Sequence, residues 1–193
     1  MFPFHKNLML TAREIRDLLA SWITISAAFA IATSNEPLSV FPLYLIVVGT
    51  AFVLHELGHK FAAIHLGYYA EYRLWTAGLA LAVFLAALTR YVFAAPGAVY
   101  VLGYPNRRDN GIISFAGPLV NFIVALLALL AIVIFSPGYT LTTILYAIFH
   151  VNAFIGFFNM LPFYPLDGSK VLVWSPTAYV SLTVPLAVLA FFF

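Results

Sequence analysis

The hydrophobic residues of this chain fall into long blocks that are separated by short polar connections. Five blocks are long enough to cross a bilayer as helices, because a hydrocarbon core of about 30 Å takes about 20 apolar residues. The predicted spans are residues 15–34, 38–62, 114–135, 141–162 and 171–193. The pattern therefore predicts an all-α polytopic membrane protein with about five transmembrane helices.

A further apolar stretch, residues 76–102, does not fit a simple span. Arg90 and the Pro96-Gly97 pair divide it into two arms, TAGLALAVFLAAL and YVFAAPGAVYVL, which are each too short to cross as a helix. Irregular backbone is tolerated at membrane depth only where protein or a water-filled cavity surrounds it. We therefore predict a re-entrant segment or a β-hairpin embedded in the membrane near residues 70–105.

Composition agrees with a membrane protein and narrows its chemistry. The 193 residues are 64% hydrophobic and only 8% charged, which is too little charge to cover the surface of a soluble chain. There is no cysteine, so any transition-metal site must be built from His, Asp or Glu. No feature of the composition indicates nucleic acid as a partner.

The positions of the basic residues predict the orientation. If residues 76–102 do not cross, all nine Lys and Arg residues fall on one face, which the positive-inside rule makes cytoplasmic, with the N-terminus inside. These residues are Lys6, Arg13, Arg16, Lys60, Arg73, Arg90, Arg107, Arg108 and Lys170. The end of the second span, and any site there, should face the cytoplasm.

The stretch HELGH at residues 55–59 places ionisable groups at the end of an apolar span. On a helix His55 and His59 project from one face, so both imidazoles reach one zinc ion, and Glu56 beside them can act as general base toward the attacking water. Ionisable groups at the border of a span cost several kcal/mol unless they are paired or wet. We therefore predict one Zn²⁺ per chain rather than a helix end that merely reaches the interface.

A catalytic zinc site needs a third protein ligand. His65 completes the HExxHxxxxxH spacing of the metzincin proteases, but Ala62 stands where that class has glycine, and a continuing helix turns His65 about 120° from His59. His150 lies mid-span and is expected to make an interhelical hydrogen bond. Glu71 and Asp109 lie beside arginines and are expected to be solvated loop charges.

Asp167, in the stretch NMLPFYPLDG at residues 159–168, is the remaining candidate. The fourth predicted span ends on the same face as HELGH, so Asp167 arrives at the required depth. Pro162 and Pro165 cannot continue a helix, and Gly168 permits a turn. Two neutral histidines, one aspartate and hydroxide make a formally neutral zinc site, which is the cheapest kind to bury near hydrocarbon.

HELGH and NMLPFYPLDG together resemble the motifs of the site-2 protease family of intramembrane zinc metalloproteases. The second motif, N-x-x-P-x-x-P-x-D-G, is matched at Asn159, Pro162, Pro165, Asp167 and Gly168, and GPLVN at 117–121 resembles the family's G-P-x-x-N segment at the start of a helix. The resemblance implies His55, His59 and Asp167 as metal ligands and Glu56 as catalytic base. It also implies that transmembrane helices of other proteins are the substrates. The resemblance covers about residues 40–170, which we expect to be the catalytic core of a single membrane domain 1–193. Members of the family often carry extra soluble modules, and in this departure from the family we expect no soluble accessory domain.

Further residues are assigned more loosely. Asn121 and Asn159 are candidates for binding the substrate backbone or the oxyanion, or else they tie helices together. Gly117 and Pro118 are expected to serve helix entry and close packing. Residues 72–80 are a candidate strand edge that binds an unwound substrate by β-augmentation.

Three other functions remain open. A membrane-anchored metalloprotease could act on soluble peptides. A non-catalytic metal-binding or transport protein would explain buried His and Asp but not Glu56 beside His55. An inactive family member would bind membrane helices without cleaving them, against which the intact Glu56 argues. The expected partners are a transmembrane protein substrate and the lipid bilayer, and the oligomeric state is open.

Overall fold

Helices dominate the computed structural model, which describes residues 10–92 and 96–193. The elements are α1 Ala12–Thr33, α2 Pro37–Val48, α3 Leu54–His65, β1 Tyr69–Leu74, α4 Thr76–Thr89, β2 Gly97–Leu102, α5 Arg107–Phe135, α6 Tyr139–Asn159, α7 Asp167–Trp174 and α8 Pro176–Phe192. A π-helical turn, Gly49–Val53, joins α2 to α3, so that Pro37–His65 is one continuous helix. The predicted all-α polytopic fold is confirmed.

Within residues 10–92 and 96–193, four helices are long and apolar enough to cross a membrane: α1, the continuous helix Pro37–His65, α5 and α6. The predicted fifth span at 171–193 is instead divided between α7 and α8, which meet at Ser175. Ser175 has extended backbone and caps α8 by accepting a hydrogen bond from the Ala178 N–H. Pro176, the first residue of α8, has no N–H and favours a helix start at this position.

The helix α5 begins earlier than predicted. Asn106 caps its N-terminus by accepting a hydrogen bond from the Asp109 N–H, and the helix then runs through Gly117 and Pro118 to Phe135. The expectation that Gly117 and Pro118 stand at the helix entry is therefore wrong. The predicted start was that of the apolar block, whereas the helix itself starts at its asparagine cap and includes two polar turns before that block.

The predicted membrane-embedded segment contains both a short helix and a strand pair. The strands β1 and β2 are antiparallel, with Tyr69 opposite Leu102 and Leu74 opposite Gly97, and α4 lies between them in sequence. Part of the return from α4 to β2, residues 93–95, lies outside the described residues.

Arg90 follows α4 and lies at the opposite end of the molecule from the sheet. Its guanidinium donates hydrogen bonds to the carbonyl oxygens of Ile31 and Ser34, at the C-terminus of α1, at 2.6 and 3.0 Å. Cations are stabilised there by the unpaired carbonyls and the helix dipole. The expectation that every Lys and Arg lies on one face is therefore wrong for Arg90, and Lys6 lies outside the described residues.

The first turns of α1 bind the outer edge of β1. Glu14 accepts a hydrogen bond from the Tyr72 N–H at 3.0 Å and forms a buried ion pair with Lys60 of α3. Asp17 accepts from the Leu74 N–H at 3.5 Å. We call these five residues the α1–β1 clamp. The prediction that 72–80 offers a free strand edge is wrong, because the clamp occupies the outer N–H groups of Tyr72 and Leu74 and α4 begins at residue 76.

Glu71 and Asp109 are not solvated loop charges, so that prediction is also wrong. Glu71 is a buried residue of β1 that accepts hydrogen bonds from Thr11 and from Arg73. Burial raises the pKa of its carboxyl, but the hydrogen bonds and the Arg73 charge lower the pKa by more, so that it lies below the ordinary value. Asp109 stands in the first turn of α5, where it accepts from the Tyr68 hydroxyl at 2.8 Å.

Candidate metal centre

Three buried side chains from two elements converge on one point. His55 and His59 lie one turn apart on α3, and Asp167 is the first residue of α7. The two Nε2 atoms are 2.9 Å apart, and Asp167 Oδ2 lies 3.2 Å from His59 Nε2 and 3.5 Å from His55 Nε2. Two ligand atoms that bind a tetrahedral zinc ion at 2.0–2.1 Å are about 3.3 Å apart, so this donor set fits zinc.

Each imidazole is held by its other nitrogen. His59 Nδ1 lies 2.7 Å from the carbonyl oxygen of Ile113, and His55 Nδ1 lies 2.6 Å from Asn121 Oδ1. A carbonyl oxygen only accepts, so Nδ1 of His59 carries the hydrogen and its Nε2 lone pair is left for a metal. Such partners orient the ligands of metal sites.

Gly117 leaves room for the two imidazoles. A Cβ atom at this position of α5 would lie 2.5 Å from His59 Cε1 and 2.7 Å from His55 Nε2. No side chain fits there without displacing a ligand. Gly117 therefore allows α5 to pack directly against the ligand face of α3.

The loop between α6 and α7 brings Asp167 to the histidines. It contains Pro162 and Pro165 and covers residues 160–166. Gly168 is helical, so it does not form the predicted turn, and a Cβ there would lie 2.6 Å from the carbonyl oxygen of Leu161. Close backbone packing against the end of α6 thus explains this glycine and holds Asp167 in place.

Glu56 lies beside His55 in the chain, and one oxygen of its carboxylate accepts no hydrogen bond from the described residues. Its Oε2 atom is buried and has no hydrogen-bond partner among the described residues. The backbone amide of Val99, in β2, faces the same carboxylate. A buried carboxylate oxygen without a partner is costly, and such groups are found where chemistry uses them.

The other candidate ligands lie elsewhere. His65 is exposed at the end of α3. His150 is exposed on α6, where its ring contacts Tyr146 and Phe149 of the same helix, so it does not lie between helices as expected. Among the described residues, one group of His, Asp or Glu side chains has its ligand atoms within 4.8 Å of one another, and it consists of His55, His59 and Asp167.

The two asparagines differ. Asn121 is fully buried, and its Nδ2 donates to the carbonyl oxygen of Ala51 at 2.8 Å and to Asn152 Oδ1 at 3.0 Å. Both amide hydrogens are used, so Asn121 has none to donate to an oxyanion. Asn159 is half-buried at the end of α6, where its Nδ2 donates to the carbonyl oxygen of Ile155 at 3.0 Å.

Sequence reasoning missed Asn152 and Thr50, which contact each other and extend the hydrogen bonds of Asn121. Both are polar residues in strongly apolar stretches, YAIFHVNAF and VVGTAFVL. A buried amide in a membrane span is costly unless it is bonded, and that cost could have identified Asn152 as a candidate.

The fold and the donor set define a membrane zinc metalloprotease, and comparisons with known proteins give its family. The model of Peptidase family M50 matches residues 43–143, more than half of the chain. A protein named "Putative zinc metalloprotease" from Methanocaldococcus jannaschii is 41% identical over 175 residues, which cover 90% of this chain and 91% of the relative. The chain therefore belongs to Peptidase family M50, the site-2 protease family.

A second relative is more distant. A protein named "Zinc metalloprotease" from the same organism is 27% identical over 127 residues, which cover 66% of this chain and 32% of that protein. No solved structure matches the chain. The family match ends before Asp167, so the place of Asp167 in the ligand group comes from the three-dimensional arrangement and the motif around it.

Proposed function

We propose that this chain is an intramembrane zinc endopeptidase, which hydrolyses peptide bonds within or near the transmembrane helices of other membrane proteins. The observation that carries the proposal is where the donor set lies. His55 and His59 are buried between two of the membrane-spanning helices, Pro37–His65 and α5, with Glu56 beside them. A membrane-anchored protease for soluble peptides would be expected to carry its site on a part that projects into water.

Each residue of the site has a defined task in this proposal. His55, His59 and Asp167 hold one zinc ion, which supplies Lewis acidity and lowers the pKa of water toward about 7. Glu56 takes the proton of the attacking water on its carboxylate and then gives it to the leaving amine. Asn159 is the remaining candidate for contact with a substrate carbonyl.

A helical substrate must be opened before its peptide bonds reach this site, because its own turns shield the backbone. The strand β2 offers replacement hydrogen bonds. The Trp75 N–H donates to the Pro96 carbonyl, and the Tyr72 N–H points to Glu14 on the other side of β1. In an antiparallel pair, successive residues point their N–H and C=O groups alternately toward the partner strand and away from it. Tyr72 points away from β2 and lies opposite Val99, so Val99 points away from β1. Val101, two residues further on, does the same, and both present their N–H and C=O groups on the outer edge of β2.

The outer edge of β2 runs past the site, since the Val99 amide faces Glu56. An extended substrate segment that adds to this edge would lie beside the catalytic carboxylate, which is binding by β-augmentation. The edge that binds substrate is therefore that of β2, rather than the segment 72–80 that the sequence indicated.

The active site and the N-terminus are proposed to face the cytoplasm. Seven basic residues of the described chain belong to segments at the end that carries the site: Arg13, Arg16, Lys60, Arg73, Arg107, Arg108 and Lys170. One cation, Arg90, lies at the other end of α1. This excess still follows the positive-inside rule.

The test is cleavage of a tagged single-span membrane protein by the purified chain in detergent, with bound zinc measured in parallel. We expect Glu56→Gln to abolish cleavage while zinc is retained, and Asp167→Ala to lose both. His65→Ala is the matched control, because it removes a histidine of the same helix that lies outside the ligand group, and it should cleave normally.

Other results would favour other functions. Zinc binding without cleavage of several single-span substrates, with Glu56→Gln indistinguishable from wild type, would favour a metal-binding or transport protein. Cleavage of short soluble peptides at rates equal to those for the membrane-spanning substrate would favour a membrane-anchored protease. Loss of zinc in His65→Ala but not in Asp167→Ala would overturn the ligand assignment.

A further inference from the structure

A chain of hydrogen bonds starts at the metal-site histidine His55 and returns to the helix that carries it. His55 Nδ1 lies 2.6 Å from Asn121 Oδ1, and Asn121 Nδ2 donates to Asn152 Oδ1 at 3.0 Å. Asn152 Nδ2 donates to Thr50 Oγ1 at 3.1 Å, and the Thr50 hydroxyl donates to the Val47 carbonyl at 2.8 Å. We call His55, Asn121, Asn152 and Thr50 the asparagine relay. It connects α3, α5, α6 and the π-helical turn.

The direction of every bond in the relay is determined. Asn121 Nδ2 also donates to the carbonyl of Ala51, and Asn152 Nδ2 also donates to the carbonyl of Ile148 at 2.9 Å. Carbonyl oxygens only accept, so neither amide can be flipped. Asn121 must therefore present its oxygen to His55, which places the hydrogen of His55 on Nδ1 and leaves the Nε2 lone pair facing Asp167.

The π-helical turn takes part in the relay. In Gly49–Val53 the backbone bonds span five residues, as in the bond from the Leu54 N–H to the Gly49 carbonyl. Such turns are rare and often lie at functional sites. Here the turn supplies Thr50 and the Ala51 carbonyl to the two asparagines, immediately before the first zinc-binding residue.

Both asparagines are fully buried, with no exposed surface. Two amides in apolar spans would be costly if any of their donors were unpaired, and each Nδ2 makes two hydrogen bonds. His59 needs no such device, because a backbone carbonyl holds its Nδ1. The relay thus holds Nδ1 of His55 with a side-chain oxygen, in the same way that the backbone carbonyl of Ile113 holds Nδ1 of His59.

We propose that Asn121 and, through it, Asn152 are positioning residues that hold the ring and the tautomer of His55 for metal binding. Neither residue touches the metal or the substrate in this proposal. The inference rests on the proposed function to the extent that the donor set binds zinc. It replaces the alternative in which Asn121 binds the oxyanion.

The test measures the zinc affinity of the purified chain by chelator competition, together with the visible spectrum of its Co²⁺ form, which reports ligand geometry. Loss of a partner behind a ligand typically weakens metal binding by about 10- to 100-fold. We expect that range for Asn121→Leu and about tenfold for Asn152→Leu, with altered Co²⁺ spectra.

Thr143→Val is the matched control, because it removes an exposed hydroxyl from α6 far along the helix from Asn152. It should leave both measurements unchanged. If a leucine variant fails to fold, Thr50→Val removes the last donor of the relay with almost no change in volume. A small loss of zinc affinity in Thr50→Val, absent in Thr143→Val, would support the relay.

Two results would overturn the inference. Leucine variants with wild-type affinity and spectrum would show that the asparagines serve packing alone, even if the free energy of unfolding falls. Loss of affinity in the control Thr143→Val equal to that in Asn152→Leu would show that the effect does not come from the relay. A wild-type chain that binds no zinc would instead overturn the proposed function, and the inference with it.

Discussion

Two buried polar clusters hold this molecule together, and they are built from different chemistry. The α1–β1 clamp uses formal charges, with Glu14 and Lys60 both almost inaccessible to solvent. The asparagine relay uses neutral amides and a hydroxyl, with Asn121 and Asn152 equally inaccessible. The clamp ties α1 and α3 to the sheet, whereas the relay ties α3 to α5 and α6.

The difference follows from the cost of what each cluster buries. An unpaired charge is far more costly in an apolar interior than an unpaired amide, so the clamp depends on complete pairing. Each carboxylate of the clamp also accepts a backbone N–H of β1, from Tyr72 or from Leu74, so α1 covers this part of the outer edge of β1. The relay has no charge to lose, so its removal should affect the metal centre more than the fold.

The largest effect is expected from breaking the ion pair of the clamp. Lys60→Met leaves the buried carboxylate of Glu14 without its cation and should lower the free energy of unfolding by about 3–5 kcal/mol. The double variant Lys60→Met/Glu14→Gln should recover most of the loss, since glutamine still accepts from the Tyr72 N–H. Unfolding in mixed micelles would measure both. A single variant as stable as wild type would show that the pair is not buried as described.

The open edge of β2 gives the next effect. Val99→Pro removes the N–H beside Glu56 on the outer edge and should lower kcat/KM about 10- to 100-fold, or about 1.4–2.8 kcal/mol, with zinc retained. Val99→Thr keeps the N–H and is the control. Equal activity in the two variants would contradict strand addition at β2.

A smaller effect is expected at the end of the relay. Thr50→Val deletes one hydroxyl between helices, and such bonds in membrane proteins average about 0.6 kcal/mol. The free energy of unfolding should therefore fall by less than about 1 kcal/mol. A loss as large as that of Lys60→Met would show that charged and neutral clusters carry equal weight here.

The smallest effect is a pH dependence at Glu71. Its pKa is lower in the folded chain than the ordinary value of 4.5, so its ionised form stabilises the fold above that pH. This stability should be lost as the pH falls below about 4.5 and the carboxyl becomes protonated. Glu71→Gln should flatten the dependence when both proteins are unfolded without metal. Identical pH profiles would contradict the assignment.

Local motifs allowed much of the site to be predicted. HELGH lies on a helix, and the spacing of four residues alone places His55 and His59 on one face. The motif around Asp167 contains the prolines of the loop before it and the glycine that packs against the end of α6. The first, second and fourth spans followed from block length to within about three residues, whereas the helix of the third span begins seven residues before the prediction and the last span is divided between two helices. The hydrogen-bond and ion-pair partners of the buried polar residues were harder to predict from the sequence. Lys60 and Glu14 are 46 residues apart in the chain, and Asn152 and Thr50 are 102 apart.

The residues that could not be predicted from local patterns are those whose role depends on a distant contact. Arg90 resembled a cytoplasmic cation until α4 placed it at the C-terminus of α1. Glu71 resembled a solvated charge until α1 covered β1. Asn121 was equally a candidate for the oxyanion or for helix packing, and only the direction of its hydrogen bonds distinguishes the two.

By itself, the sequence determined the membrane class, three of the spans and the family motifs with their His, Glu and Asp side chains, because periodicity and transfer free energy act over one or a few turns of a helix. Only the tertiary structure decided which strand α1 covers, which histidine Asn121 contacts and how the buried charges are paired. Hydrogen bonds are directional and short, so their partners are known only when elements far apart in the chain have been packed together.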